Sequence, residues 1–126
     1  MDHRKIALIL SVFLFLFLGI AREGLANKAS VTIQAPASAQ KGSEIVIRIN
    51  VSHDGNNFFH YVNWVYVSVN GKEVVRWTFS SSDRPEAGNF SREVKVSVNG
   101  NSEIVAEANC NLHGSAGPAK FRTTAD

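Results

Sequence analysis

The chain has 126 residues, a length that fits one domain, and its 13 Lys and Arg against 11 Asp and Glu leave a formal charge of +2. Hydrophobic residues make up 44% of it, which excludes a disordered chain and permits a packed core. Beyond the N-terminal segment no basic run exceeds an isolated pair, which argues against nucleic acid or an anionic membrane as the main partner.

The first element in chain order is not part of the domain. Asp2-His3-Arg4-Lys5 is a short basic stretch, Ile6 to Ala21 is an almost unbroken apolar run, and Gly24 and Ala26 place small residues at the end. This is the plan of a secretory signal peptide cleaved after Ala26, so residues 1–26 are read as the signal and 27–126 as the domain. The protein is then exported, to the periplasm, by a general route, since there is no twin-arginine pair. Any metal is acquired after export. Uncleaved, the same run would be the chain's one attachment to a membrane, although it lies at the short end for a spanning helix.

The rest of the chain has a period of two. Val31-Thr32-Ile33 is a short strand, ended by Pro36. Ile45, Ile47, Ile49 and Val51 alternate with Val46, Arg48, Asn50 and Ser52, the mark of a strand with one face on a core. Tyr61–Val69 and Val74–Phe79 follow, joined by Asn70-Gly71, the strongest hairpin signal in the chain. Val94–Val98 and Ile104–Ala108 flank a second Asn-Gly pair, Asn99-Gly100, and Lys120–Thr123 closes the set. No stretch shows capped helical periodicity. About seven short strands in a domain of this size predict an all-β, immunoglobulin-like antiparallel sandwich of two sheets.

Chemistry is confined to few residues. Cys110 is the one cysteine, so no disulfide can form within the chain, and in an exported protein such a cysteine is inert and buried, an intermolecular bridge, a reactive thiol or a metal ligand. His113 follows it by three residues in Cys110-Asn111-Leu112-His113-Gly114. His53 ends one predicted strand and His60 begins the next. If both loops lie at one end of the sandwich, three imidazoles and a thiolate converge there, a donor set suited to iron, copper or zinc. Taken singly, each has a bland alternative: a small buried cysteine, or a solvated loop histidine. Phe58, Phe59, Tyr61 and Trp64 surround His60 in sequence and read as core packing beside a loop, or as an apolar wall to a metal. There is no Gly-x-Ser-x-Gly elbow and no phosphate-cradling glycine loop.

Cys110-Asn111-Leu112-His113-Gly114 resembles the C-terminal ligand motif of the superoxide reductase family, which includes desulfoferrodoxin and neelaredoxin. His60-Tyr61-Val62-Asn63-Trp64-Val65 resembles that family's histidine-tyrosine-isoleucine-glutamate-tryptophan-isoleucine segment, and Arg84-Pro85-Glu86-Ala87 its loop before the last strands. The resemblance implies a mononuclear non-haem iron with equatorial imidazoles from His53, His60 and His113 and an axial thiolate from Cys110. It also implies reduction of superoxide to hydrogen peroxide with electrons from an unidentified donor. Lys28 matches a lysine of the family that attracts the anion, but Ala29 stands where the family carries a fourth histidine. Six residues separate His53 from His60, where the family usually has five. A degenerate reductase, a non-catalytic or electron-transfer module holding iron, zinc or copper, and an interaction domain with a vestigial cluster are the competing expectations. Copper would lack its usual axial methionine, since Met1 is the only one.

Overall fold

The computed structural model describes residues 27–126, so the signal-peptide expectation for residues 1–26 lies outside the described residues. Eight strands follow in order: β1 (Ser30–Gln34), β2 (Ser38–Ala39), β3 (Ser43–Ser52), β4 (Val62–Val69), β5 (Lys72–Thr78), β6 (Phe90–Val98), β7 (Ser102–Cys110) and β8 (Ala119–Ala125). All seven predicted strands are among them. The addition is β2, a two-residue strand that pairs parallel with the end of β8 and is too short to show an alternation. One sheet has the order β1-β3-β6, the other β2-β8-β7-β4-β5. All other pairings are antiparallel, and the two layers form the predicted immunoglobulin-like sandwich.

Alternation decides what fills the space between the sheets. On β3, Ile45, Ile47, Ile49 and Val51 are buried, and on β7 Ile104, Ala106, Ala108 and Cys110 are buried. Each aliphatic side chain withdrawn in this way contributes roughly 1.5–3 kcal/mol. The small alanines of β7 leave room for the branched residues of the facing layer. On β4 the phase is reset by a bulge: Val62 pairs with Cys110 but Trp64 pairs with Asn109. Val62 and Val65, three apart, therefore both face inward. Trp64 and Tyr66 fall on the outer face, where their rings stack with centroids 5.8 Å apart. The Arg76 guanidinium lies 5.1 Å and 5.0 Å from the two ring centres and is tied to Glu73.

The two Asn-Gly pairs do different things. Asn70 and Gly71 have φ of 51° and 81°, as a two-residue turn of type I′ requires, and they close the β4–β5 hairpin. Asn99-Gly100 joins β6 to β7, which belong to different sheets, and neither residue has positive φ. It is a crossover between layers, a difference that the dipeptide itself does not encode.

Ile47 lies at the centre of β3 with no exposed surface. Ile47→Ala should cost about 2–5 kcal/mol through lost burial and an unfilled cavity. Chemical denaturation would register this as a lower midpoint at unchanged slope.

Candidate metal centre

The inward rows of the two sheets run out at the same end of the sandwich. On β3 the row Ile45, Ile47, Ile49, Val51 continues in step to His53, which is 7% exposed. On β7 it ends at Cys110, 1% exposed. The last inward position of each layer thus carries a nitrogen or sulfur donor. His53, His60 and Cys110 each offer one donor atom, and those atoms lie within 4.8 Å of one another. His113 adjoins two members of this group: its Nδ1 is 3.2 Å from His60 Nε2 and 3.8 Å from Cys110 Sγ. The four predicted ligands are therefore brought together, and the longer spacing between His53 and His60 does not separate them, since their rings meet edge to face at 4.7 Å.

Hydrogen bonds fix which atoms face the centre. His53 Nδ1 donates to the Gly55 carbonyl at 2.6 Å. That leaves Nε2 without a proton, buried and with no partner among the described residues. A buried nitrogen lone pair left bare beside a thiol and another imidazole is what a metal ligand looks like before the ion is placed. The Cys110 sulfur accepts from the His113 backbone N–H at 3.4 Å, so one turn supplies both the sulfur and a hydrogen bond to it. The turn closes through paired bonds between Cys110 and Gly114.

Asparagines hold the two loops. Asn111 Oδ1 accepts from Tyr61 N, its Nδ2 donates to the Phe59 carbonyl, and its own N–H donates to the Tyr61 carbonyl, so it staples the Cys110 turn to the His60 loop. Asn57 Oδ1 accepts from the N–H groups of Phe59 and His60. Asn89 Oδ1 accepts from His53 N, and Asn56 Nδ2 donates to the Pro85 carbonyl, which braces the His53 side with the loop before β6. Sequence reasoning passed over these residues. The local signal that pointed to Asn57 and Asn111 was their place inside ligand-bearing loops, where Asn side chains commonly cap backbone groups.

One expectation changes. Phe58 and Phe59 are 56% and 76% exposed, and Trp64 lies on the outer face beyond the β4 bulge, so these aromatics are not core. Lys28 sits in the turn before β1, next to Ala29; Ala29 has no exposed surface and bonds to the Gly114 carbonyl and the Ala116 N–H. This anchors the segment against the ligand turn, but Ala29 has no donor atom to add to the four.

An immunoglobulin-like sandwich with a His and Cys donor set at one end defines a class of β-sandwich metal proteins. The desulfoferrodoxin family model matches residues 22–115, and the chain belongs to that family. Comparison with curated proteins gives no match. Among solved structures it is similar to a superoxide reductase (neelaredoxin) from Ignicoccus hospitalis, with 19% identity, 79% of this chain and 82% of that chain covered, and a TM-score of 0.64. It is also similar to a CARDB domain from Pyrococcus furiosus solved in complex with di-metal ions (18% identity, 78% and 87% covered, TM-score 0.60). A third similar structure is the sulfur carrier protein SoxY from Chlorobium limicola (13% identity, 76% and 78% covered, TM-score 0.51).

Burial holds the His53 imidazole below its ordinary value of 6.5, outweighing the Gly55 carbonyl, which acts in the opposite direction. In the unfolded chain this group takes up its proton near 6.5; in the folded chain it resists until a lower pH. Within that window the unfolded chain binds more protons, so stability rises with pH. The metal-free protein should therefore keep a constant contribution above pH 6.5 and lose it as the pH falls through the window. Thermal unfolding across pH 4–8 would record this, and the acid-side slope should be shallower in His53→Gln.

Proposed function

We propose that this chain is an exported iron-binding oxidoreductase of the superoxide reductase type. The reading is carried by one observation: the donor atoms of His53, whose buried Nε2 has no partner, His60 and Cys110 lie within 4.8 Å of one another, with His113 Nδ1 beside the last two. His53, His60 and His113 would hold the ion through imidazole and Cys110 through thiolate. Bound there, iron supplies a centre that passes single electrons. In the overall reaction superoxide takes up one electron and two protons and leaves as hydrogen peroxide, and an external donor restores the electron.

The chain's own residues have defined parts in this. The Cys110 thiolate raises electron density at the centre, and the His113 N–H moderates it by bonding to the sulfur at 3.4 Å. Gly55 keeps His53 in the tautomer that presents Nε2. Lys28 is the cation nearest in sequence to the buried Ala29 anchor, and its charge favours approach of a small anion to this end of the sandwich.

A second reading is favoured by Ala29. The sequence resemblance sets that residue at the family's fourth histidine, and it is fully buried. Three imidazoles and one thiolate already form a complete tetrahedral set, which suits zinc as well as iron, with copper a further candidate. The chain would then be a metal-binding or electron-transfer module without superoxide chemistry.

Elemental analysis of protein isolated from the exported fraction without added metal separates the two. The first reading expects about one iron per chain, together with a visible thiolate band that Cys110→Ser abolishes. Zinc or copper in place of iron would support the second. With iron in place, Lys28→Ala should lower kcat/KM for superoxide by about two- to tenfold at low salt and leave less dependence on ionic strength. Stopped-flow decay of superoxide at several salt concentrations measures this.

A further inference from the structure

We infer that Gly55 is a positioning residue for two ligands at once, setting the donor atom of His53 through its carbonyl and that of His60 through the absence of a side chain. The inference rests on the metal-binding reading above.

The carbonyl half is the 2.6 Å bond from His53 Nδ1, which turns Nε2 toward the centre. The other half is steric. A Cβ at Gly55 would lie 2.4 Å from His60 Nδ1, 2.8 Å from Cε1 and 3.0 Å from Cγ. Three atoms of one imidazole edge therefore lie against the glycine, which leaves no room for a side chain at that edge. The opposite nitrogen, Nε2, is left to face His113 Nδ1 and the centre. Gly55 has no positive φ, so its backbone is open to other residues, and the demand for glycine comes from His60 alone.

Gly55 lies in the six-residue loop between His53 and His60, and that loop folds back on itself. It does so by pressing Gly55 against the His60 ring, while Asn57 and His60 exchange backbone bonds at 2.9 Å and 3.2 Å. Gly88 provides the contrast. A Cβ there would lie 2.6 Å from the His53 carbonyl oxygen, a backbone atom that cannot swing aside. Substitution at Gly88 strains the fold, whereas at Gly55 the obstacle is a side chain that can rotate out of the way. The Gly55 variant is thus expected to fold with a displaced ligand.

The test is a titration of metal-free full-length chain with cobalt(II), read by visible absorption, on the wild type, Gly55→Ala and Gly88→Ala. The expected result for Gly55→Ala is a loss of cobalt affinity of about 10- to 100-fold. Its ligand-field bands should shift while the sulfur-to-cobalt band persists, and the thermal midpoint of its metal-free form should stay close to that of the wild type. Gly88→Ala should lower that midpoint. Wild-type affinity and an unchanged ligand-field spectrum in Gly55→Ala would overturn the inference while leaving the metal-binding reading intact. A midpoint lowered as far as in Gly88→Ala, or failure to fold, would also overturn it, since Gly55 would then serve the fold generally. Failure of the wild type to bind cobalt would overturn the metal-binding reading and the inference with it.

Discussion

The space between two packed sheets must be filled along its whole length, and any polar group that enters it must find a partner. In this protein the rows that fill that space on β3 and β7 extend one position further than the aliphatic residues do. The final inward positions are His53 and Cys110, one from each layer. The imidazole satisfies one nitrogen on the Gly55 carbonyl and leaves the other bare. The donor cluster is thus the end of the hydrophobic core, continued in different chemistry. Geometry that keeps the layers in register also keeps sulfur and nitrogen at a fixed separation, which is a firmer mounting than a loop alone provides.

His60 and His113 are brought in by other means. Neither lies in a strand: the His60 N–H donates to Asn57 Oδ1, the His113 N–H donates to Cys110 Sγ, and short backbone turns and the Asn111 staple hold the two loops. The two halves of the site therefore differ in how firmly they are held. One is built into the sandwich; the other depends on the staple between Asn111 and the Tyr61 and Phe59 backbone. Local opening at this end would release the loop histidines first, because fewer buried contacts hold them.

Much of this was legible beforehand, for physical reasons. A half-buried strand shows itself as alternation, and β3 is a clear case; an Asn-Gly pair between two such strands is a hairpin, and Asn70-Gly71 is one. The ligand types were legible because so few cysteines and histidines exist to choose among. The bulge in β4 was not, since one extra residue in a strand leaves no mark in the sequence and reverses which side of the sheet Trp64 and Tyr66 occupy. Nor was the crossover at Asn99-Gly100, where the same dipeptide links different layers. Cys110 had two readings, core and ligand; it belongs to the core cluster and also lies among the donor atoms gathered at this end. The architecture itself decides little about chemistry: a CARDB domain and a sulfur carrier protein are similar to this chain in fold. What distinguishes it is the particular set of side chains at one end.

The burial of Cys110 has a consequence for how the protein withstands oxidants. A thiol with 1% of its surface exposed cannot be reached by another disulfide while the sandwich is closed. With no second cysteine in the chain, an internal bridge is impossible. Mixed disulfides and sulfenic acid can form only during brief openings between β4 and β7 that expose the sulfur. Chemical damage at this position is therefore gated by breathing of the fold, and the rate at which a thiol reagent labels Cys110 is a direct clock for that breathing.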